Sequence, residues 1–572
     1  MASTQSAASA ADFGACSAAA PPPAAAAALG TNRPPKRSSK GHSRDARESK
    51  QKRTKRERNM AEGSSEEVLR HDVRALLESR GLARQSAADA APIDDAATAH
   101  DEPPLPAEGS HIDVDVVELS SAGSGLAMQP GSSQVYLVPF TLPGDVATVK
   151  VFRHLSNEHR QTSADLVAIV KPSPLRDDSL VRCRYFGSCG GCQFQMLDYP
   201  EQLRHKRRVI ERAFRNFANL PAHLVPAIGD TIASPLQYGY RTKLTPHFDG
   251  PPGSQNHGRK RRDVPKPFFE SCPDIGFMHK GRRTVIDIED CPIGTDVVRL
   301  GMKRERARIQ SSFASFKRGA TLLLRENTRR YLADDCDAAP GQDKVSPHKI
   351  RSEGDGFVDV KSCETNSRAT TTEYVGDHVF TNPAGSFFQN NNAILPVFTA
   401  YVKDHILPPV RPGEPAIGYL IDAYSGAGLF TVALASVFRH STGIDVAADS
   451  IASARRNAAL NGLGDDRCLF IAADASQLFG NVSYPPDETL VVLDPPRKGC
   501  DADFLAQLSA FGPKRILYVS CNVHTQARDV GVLVRGDAGG AAYRLESLVG
   551  FDFFPQTAHV EGVAILNRHD GQ

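Results

Sequence analysis

Residues 419–430 read YLIDAYSGAGLF, and this stretch decides the fold class. Its first half is an apolar run typical of a buried strand, and the glycines at 426 and 428 then let the backbone turn tightly into a helix. Helical patterns such as AADSIASARRNAALNGL separate the six strand-like runs that follow. These runs are HSTGIDV (440–446), CLFIAAD (468–474), TLVVLDPP (489–496), RILYVSCN (515–522), YRLESLVGFDFF (543–554) and AHVEGVAILN (558–567). The alternation predicts an α/β fold with a doubly wound, mostly parallel sheet.

The glycine loop also narrows the choice of ligand. In open α/β sheets, ligands bind outside the carboxyl ends of the strands, which is where this loop lies. A dinucleotide-binding fingerprint needs a third glycine at position 431, and Thr431 stands there instead. The loop therefore disfavours a Rossmann-type oxidoreductase and favours another nucleoside-containing ligand, such as S-adenosylmethionine.

Acidic residues close the second, third and fourth strands of this pattern. Asp445 could accept hydrogen bonds from ribose hydroxyls, or it could cap the helix that follows. Asp474 could bind an adenine amino group, or it could belong to an ordinary turn. Asp494 precedes two prolines that stiffen the turn, so its carboxylate is suited to accept a hydrogen bond from a planar amide such as N3 of uracil. Alternatively, the two prolines only end the strand, as prolines commonly do.

A thiol and a carboxyl group lie at the ends of two further strands of the predicted sheet. Cys521, in YVSCNVHTQARD, lies at the tip of the fifth strand, where a thiolate would be a nucleophile. Cysteines in apolar strands are more often small core residues. Glu561 lies just inside the last strand and is either a solvated side chain or a base with a tuned pKa. A nucleophilic Cys521 requires a site that lowers the pKa of the thiol or takes up its proton.

A cysteine cluster predicts a metal site upstream of the sheet. Cys183, Cys189 and Cys192 lie within CRYFGSCGGC, and Cys291 follows about 100 residues later. Cys272 is a competing fourth ligand. Three cysteines in ten residues with a distant fourth are a far stronger signal than a single pair.

The N-terminal part of the 572-residue chain changes character near residue 109. Residues 1–108 are rich in Ala, Ser, Pro and charge and are predicted to be disordered, with a short helix near 66–80. Within them, 33–58 carries twelve Lys or Arg against three acids, which is typical of a nuclear-targeting signal, a nucleic-acid arm or a solvated tail. Four β-like runs then predict a small barrel, either RNA-binding or structural. These runs are IDVDVVEL (112–119), SQVYLVPF (133–140), DVATVKVFRHL (145–155) and ADLVAIVKP (164–172).

Between the barrel and the sheet the pattern is less regular. Residues 200–216 predict a basic amphipathic helix, and 239–247 (GYRTKLTPH) predict a strand. Two polar stretches, 249–267 and 334–370, are interpreted as surface insertions. No apolar run reaches about 18 residues, so no membrane span is expected.

Five sequence blocks together resemble the signature blocks of the RNA 5-methyluridine (uracil-C5) methyltransferases. The blocks are GSFFQNN (385–391), DAYSGAGLF (422–430), LDPPRKG (493–499), YVSCNVHTQARD (518–529) and FPQTAHVEGVAIL (554–566). The barrel is similar to the TRAM domain that this family carries. The resemblance covers roughly residues 111–570 and implies a class I S-adenosylmethionine-dependent methyltransferase fold.

The resemblance implies specific roles for ten side chains. Cys521 matches the catalytic nucleophile and Glu561 the base. The positions that contact the cofactor or the target base are Gln389, Tyr424, Asp445 and Asp494. The ligands of an expected [4Fe–4S] cluster, with structural zinc as the alternative, are Cys183, Cys189, Cys192 and Cys291.

The resemblance also implies a domain order and a reaction. The expected domains are a disordered tail (1–108), a TRAM-like RNA-binding barrel (109–175), a Cys-cluster and central α+β domain (176–374) and the methyltransferase domain (375–572). The expected enzyme is a monomer that methylates carbon 5 of the T-loop uridine, position 54, of transfer RNA, in the nucleus or cytoplasm, with mitochondria as a further option. The alternatives are methylation of ribosomal RNA and a non-catalytic transfer-RNA chaperone.

Overall fold

The computed structural model describes residues 63–82, 104–156, 159–251, 268–332, 346–409, 412–413, 415–473 and 479–569. The basic segment 33–58, most of the predicted insertion 249–267 and Asp474 lie outside these described residues. None of the helices in the described part of the chain has the length and apolar character needed to cross a membrane.

A seven-stranded sheet organises the C-terminal part of the chain. Its strands are β16 (Tyr419–Ala423), β17 (His440–Asp445), β18 (Cys468–Ala472), β19 (Thr489–Leu493), β20 (Arg515–Ser520), β21 (Tyr543–Phe551) and β22 (Glu561–Arg568). Their order is β18-β17-β16-β19-β20-β22-β21. Strand β22 runs antiparallel to both of its neighbours, and the other pairs are parallel. The sequence prediction of seven strands in a doubly wound sheet is confirmed.

Helices cover both faces of this sheet, which explains why its central strands are apolar throughout. In β19, Val491 and Leu493 join one apolar cluster while Leu490 and Val492 join the other. Helices on the first face are α2 (Tyr199–Phe217), α7 (Ala502–Phe511) and α8 (Val523–Arg535). Those on the second are α4 (Leu395–His405), α5 (Leu429–Ala433) and α6 (Ala448–Leu460). The helix predicted at 200–216 is thus α2, and it packs against the catalytic sheet.

The predicted barrel is present and closed, with one strand more than the sequence pattern indicated. Its strands are β1 (His111–Leu119), β2 (Gly125–Met128), β3 (Val135–Val138), β4 (Val146–Ser156) and β5 (Gln161–Lys171), in the order β1-β2-β3-β5-β4. The sequence missed β2 because four residues are too short to show a period of two. Its side chains are all buried, so no alternation was there to detect.

The middle of the chain forms two small four-stranded sheets, a hairpin and one long helix. One sheet has the order β10 (Ala320–Thr321), β7 (His247–Phe248), β8 (Gly276–Met278), β9 (Val285–Asp287). The other has the order β12 (Lys349–Gly354), β13 (Phe357–Glu364), β11 (Leu324–Leu332), β6 (Lys243–Leu244). The helix is α3 (Asp296–Ser312), and the hairpin pairs β14 (Thr370–Val375) with β15 (His378–Pro383).

Two predictions for this middle region are wrong. Residues 334–370 are not wholly a surface insertion, because β12 and β13 are regular members of a sheet. The side chains of β12 are mostly polar and exposed, which hid that strand from a search for apolar periods, whereas β13 buries Val358, Val360 and Cys363 and was overlooked. The predicted strand at 239–247 is divided between β6 and β7, which belong to different sheets, with Pro246 between them. Proline has no N–H to donate to a strand ladder.

The short helix predicted near residues 66–80 is confirmed as α1 (Ser65–Ser79). Ser64 caps it, since its side chain accepts a hydrogen bond from the N–H of Glu67. Its apolar side chains are buried: Val68, Val73, Leu76 and Leu77. Helix α1 is therefore a packed element of the fold, and the prediction that residues 1–108 form a disordered tail is wrong for Ser65–Ser79.

Candidate active site

A cavity of about 600 Å³ lies at the carboxyl ends of the central strands. It is lined by all six side chains that the resemblance assigned to catalysis, cofactor or base: Gln389, Tyr424, Asp445, Asp494, Cys521 and Glu561. These six residues come from six separate parts of the sequence, with Asp445 outside the five blocks that carry the resemblance, so only the fold brings them together. The position agrees with the rule that ligands of open α/β sheets bind at this edge.

The glycine loop forms one wall of the cavity in a backbone conformation that few side chains tolerate. Tyr424, Gly426 and Gly428 have φ of 66°, 53° and 86°. The N–H of Gly426 donates to Oδ2 of Asp445 (3.0 Å), and the N–H of Ala447 donates to Oδ1 of the same carboxylate (2.8 Å). Asp445 is therefore tied to the loop, and α6 starts without a side-chain cap.

Thr431, which replaces the third glycine of the dinucleotide fingerprint, has a structural partner. Its N–H and Oγ1 both donate to Oδ2 of buried Asp422, at 3.0 and 2.6 Å. Burial nevertheless raises the pKa of Asp422 to about 7. In the same wall, Ser425 Oγ is buried and has no hydrogen-bond partner within the described part of the chain. An unpartnered hydroxyl beside a carboxylate fits a ligand rich in polar groups, such as a nucleoside.

Cys521 and Glu561 are neighbours across two paired strands. Cys521 immediately follows β20, and Glu561 is the first residue of β22. The two strands are antiparallel with Ser520 opposite Gly562, so the next pair in this register is Cys521 and Glu561. Both side chains line the cavity. The sheet register thus places a nucleophile and a carboxyl group on the same ligand.

Burial dominates the ionisation of these groups. It raises the pKa of Glu561 well above its usual range; nearby Asp494 adds to the rise and Arg497 opposes it. Burial and Asp422 raise the pKa of Asp494 to about 7. Burial and Glu561 raise the pKa of Cys521 to about 11, although the positive charge of Arg497 opposes this rise. The protein alone therefore does not lower the thiol pKa, which leaves uptake of the thiol proton by a neighbour.

Two cavity residues were missed by sequence reasoning. Arg497 lies beside Cys521 in the cavity wall and is the cation that opposes the rise of both the thiol pKa and the Glu561 pKa. Phe387, 75% exposed, lines the cavity as a large unpacked ring. Both lie inside blocks quoted for the resemblance, DPPRKG and GSFFQNN, so their positions were visible but no role had been read from them.

The loop that carries Asp494 and Arg497 is anchored to the helix after Cys521. Asn522 Nδ2 and Thr525 Oγ1 donate to the carbonyl of Arg497, at 2.9 and 3.2 Å. Further along, buried Asp529 accepts from the N–H of Cys500 (2.8 Å) and from the hydroxyl of Tyr518 (2.6 Å). These hydrogen bonds fix the position of the loop at 494–500 relative to the helix that follows the nucleophile.

A buried ion pair fixes the loop that leads into Glu561. Nζ of Lys206, on α2, lies 2.6 Å from Oδ1 of Asp552, and both side chains are 0% exposed. The same ammonium donates to the carbonyls of Phe554 (3.0 Å) and His559 (2.6 Å). Tyr199 donates to the other oxygen of Asp552 (2.9 Å). Three hydrogen bonds from Lys206 thus hold residues 552–559, just before Glu561.

Replacement of Lys206 by methionine is expected to lower the free energy of unfolding by about 3–5 kcal/mol, because it leaves the Asp552 carboxylate buried without its counter-ion. Urea unfolding monitored by circular dichroism measures this. The matched control is Arg204→Met on the exposed side of the same helix, which should leave the unfolding midpoint unchanged. A Lys206→Met variant as stable as the control would show that the pair does not anchor the loop.

The cysteine cluster also converges in the structure. Cys183, Cys189, Cys192 and Cys291 line one cavity of about 220 Å³, whereas Cys272 is exposed and does not line it. Burial and the neighbouring thiols raise the pKa values of Cys192 and Cys291 to about 12. No three His, Cys, Asp or Glu of the described ranges close around a single point as ligands of one metal ion would. Four thiols around a cavity of this volume are a donor set that fits an iron–sulfur group.

Comparisons with known proteins agree with this geometry. The family model described as tRNA (Uracil-5-)-methyltransferase matches residues 482–569, and that of the RNA cap guanine-N2 methyltransferases matches 417–506. The tRNA (uracil(54)-C(5))-methyltransferase of Saccharomyces cerevisiae is 39% identical over 535 residues, covering 88% of this chain and 81% of that protein. The Schizosaccharomyces pombe enzyme of the same name is 39% identical over 533 residues, covering 93% of this chain and 88% of that protein.

A solved structure shares the fold. The Pyrococcus abyssi tRNA (uracil-54, C5)-methyltransferase, crystallised with S-adenosyl-L-homocysteine, is similar with a TM-score of 0.52 and 23% identity. The match covers 80% of this chain and 100% of that chain. The arrangement of strands around the cavity is therefore shared with a methyltransferase.

Proposed function

The chain belongs to the tRNA (uracil-54) C5-methyltransferase family, and on that premise we propose that it methylates carbon 5 of uridine 54 in transfer RNA with S-adenosylmethionine as methyl donor. One observation carries the proposal: the Cys521 thiol and the Glu561 carboxyl group are register neighbours in a cavity that also contains Asp445 and Asp494. This is the set of groups that covalent methylation of a pyrimidine requires.

Carbon 5 of uracil is a poor nucleophile and must be activated before it can accept a methyl group. Cys521 is proposed as the nucleophile that activates it. As the Cys521 thiol gives its proton to a neighbouring carboxylate of the cavity, which passes it to solvent, the sulfur attacks carbon 6. The attack breaks the ring conjugation and leaves electron density on carbon 5. Carbon 5 can then accept a methyl group, which S-adenosylmethionine supplies from its sulfonium. The target base must first leave its stack, at a cost of a few kcal/mol. The exposed ring of Phe387 is suited to stack on the extruded base.

Asp494 and Glu561 are proposed to act before and after methylation. An acceptor at Asp494 can hold N3–H of the base and orient carbon 6 toward the sulfur. When carbon 5 carries the methyl group, its proton must leave, and Glu561 is the base in reach of the same ring. The electron pair that the proton leaves behind restores the ring and expels the Cys521 sulfur. The raised pKa of Glu561 makes it a stronger proton acceptor than an ordinary carboxylate.

The methyl donor is proposed to lie along the glycine loop. Asp445, fixed by the Gly426 N–H, would accept the ribose hydroxyls. Tyr424, in the glycine loop, and Gln389 line the same cavity and would contact the rest of the nucleoside. The unpartnered Ser425 hydroxyl supports a polar ligand at this wall.

The barrel and the cysteine cluster are proposed to serve RNA binding. The barrel, β1 to β5, is interpreted as a TRAM-like domain that contacts the transfer RNA. The four thiols around the 220 Å³ cavity would hold a [4Fe–4S] cluster, with structural zinc as the alternative. Such a group would be structural, tying the loop at Cys183–Cys192 to Cys291. Broad visible absorbance in anaerobically purified protein, lost in Cys192→Ser, would support iron; a colourless zinc-containing protein would exclude it.

The substrate is tested with labelled S-adenosylmethionine and unmodified transcripts. We expect methyl incorporation into a transfer-RNA transcript and none into the same transcript with cytidine at position 54. Nuclease digestion and mass spectrometry locate the methyl group. Incorporation into ribosomal RNA alone would overturn the substrate while leaving the chemistry, and incorporation into neither would favour a non-catalytic RNA-binding protein.

A further inference from the structure

A second cavity, of about 660 Å³, adjoins the site and shares Cys521 and Arg497 with the first. We call it the entry groove. Seven separate parts of the chain form its walls. They are the start of α1, the barrel loop after β1, the loop around Gly190, Lys280, the loop at 497–498, the stretch from Cys521 into α8, and 557–559. The nucleophile thus lies where two cavities meet, with the glycine loop on one side only.

The charged side chains of the entry groove have one sign. They are Lys280, Arg497, Lys498 and Arg528, and no Asp or Glu lines it. Neither Lys280 nor Lys498 has a carboxylate partner within ion-pair distance among the residues the structure describes. Gln193 and Asn522 add amide groups to the same walls. A groove of lysine, arginine and amide groups that opens on a nucleophile is suited to a chain of phosphodiesters.

Helix α1 is fixed to the barrel and to α2. Asp72, only 2% exposed, accepts from the N–H (2.7 Å) and hydroxyl (2.9 Å) of Ser121, and it lies 3.5 Å from Nη1 of Arg212 on α2. The apolar side chains of α1 pack on the barrel residues Leu126, Met128, Val135 and Leu137. The helix therefore has a defined position relative to the groove.

Helix α1 also contacts the catalytic helix α8. Gly63 lies so close to α8 that a Cβ there would be 2.7 Å from Cγ2 of Thr525. The ring of Phe217 stacks edge-on between His71 of α1 (4.9 Å) and His524 of α8 (5.3 Å). The segment that leads into α1 is thus held against the first turn of α8, directly after Cys521.

The geometry points to the entry groove as the path of the substrate RNA backbone beside the target uridine, with α1 as one of its walls. This inference rests on the proposed function and deepens it. It assigns RNA contact to an N-terminal helix outside the barrel and the catalytic sheet. The cations bind phosphates on one side of the extruded base, and α1 sets the width of the groove through Asp72 and through the contact of Gly63, just before the helix, with α8.

Introduction of a charge at Ser65 tests the role of α1. Ser65 is the first residue of the helix, is exposed and lines the groove. Ser65→Glu places a negative charge among the cations, yet an acid at a helix N-terminus favours the helix, so the fold is maintained. We expect about five-fold weaker binding of a full-length transfer-RNA transcript, measured by fluorescence anisotropy, and tighter binding for Ser65→Lys. Equal dissociation constants for both variants and the wild type would overturn the inference.

The cations are tested through the salt dependence of binding. Lys280→Ala should weaken transfer-RNA binding by about five-fold and lower the slope of log Kd against log salt by about 0.7–0.9. The matched control is Lys403→Ala on α4. Lys403 lies far from the groove, because the carbonyl of His405 on the same helical turn accepts a hydrogen bond from Arg515. Arg515 is at the amino end of β20, at the edge of the sheet opposite the site. An unchanged slope in Lys280→Ala, or an equal change in the control, would contradict the groove.

These outcomes separate the two proposals. If the wild type methylates transfer RNA while Ser65→Glu and Lys280→Ala bind it normally, the groove is wrong and the function stands. If the variants weaken binding as expected while the wild type methylates no RNA, the groove stands and the catalytic proposal is wrong.

Discussion

Replacement of Cys521 by alanine is expected to slow methyl transfer to transfer RNA by roughly 10⁴-fold or more. The sulfur supplies the bond that activates carbon 5, and no other cysteine lines the main cavity in the described part of the chain. A methyl-transfer assay under single-turnover conditions measures the loss. Because alanine is smaller and apolar at a partly buried site, the variant should fold normally and still bind transfer RNA.

The control for this variant is Cys272→Ala. Cys272 is exposed and lines neither the catalytic cavity nor the cysteine cavity, so its loss should leave methyl transfer unchanged. Residual activity in Cys521→Ala above about 1% of the wild type would mean that methylation proceeds without the covalent step. The assignment of the nucleophile would then be wrong.

Replacement of Glu561 by glutamine has the second-largest expected effect, and it falls on a different step. Attack and methylation should proceed, but the carbon-5 proton has no base, so the methylated covalent complex accumulates and its release slows by about 10²–10⁴-fold. Glutamine keeps the shape of the side chain and removes a carboxyl group whose pKa burial and Asp494 raise. A quench-flow experiment with gel separation of the protein–RNA complex measures the release rate.

The pH dependence gives an independent check on Glu561. A carboxyl group acts as a base only when ionised, and a raised pKa means that its ionised fraction still grows as the pH rises through the raised value. Release from the wild type should therefore accelerate with pH, and release from Glu561→Gln should lose this dependence. Asp494→Asn should instead slow formation of the complex, because it acts on orientation of the ring. Equal release rates in Glu561→Gln and the wild type would remove Glu561 as the base.

Much of the catalytic fold could be predicted because its strands are buried on both faces. A run such as TLVVL (489–493), apolar on both faces, is typical of a central parallel strand. Asp494, the polar residue that follows it, marks the edge of the sheet where the ligand binds. Four of the six cavity residues were marked by their places at strand ends, and Gln389 and Tyr424 came from the resemblance alone. The structure brings all six together.

The remaining features depend on contacts between distant parts of the chain. Lys206 and Asp552 are 346 residues apart, and nothing local marks either as half of a buried pair. The rise in the Cys521 pKa comes from burial and from Glu561 across the sheet, so a strand-end cysteine alone did not indicate it. Helix α1 was expected as a short helix in a disordered tail because its docking surface, on the barrel and α8, lies elsewhere in the sequence.

The central claim is a temporary bond between the Cys521 sulfur and carbon 6 of the target uracil. Its most direct test uses transfer RNA that contains 5-fluorouridine, which has no removable proton at carbon 5, together with S-adenosylmethionine. Digestion of the trapped complex and mass spectrometry should find a methylated fluorouridine on the peptide that contains Cys521. A nucleotide attached to any other residue, or no covalent complex with active enzyme, would contradict the account.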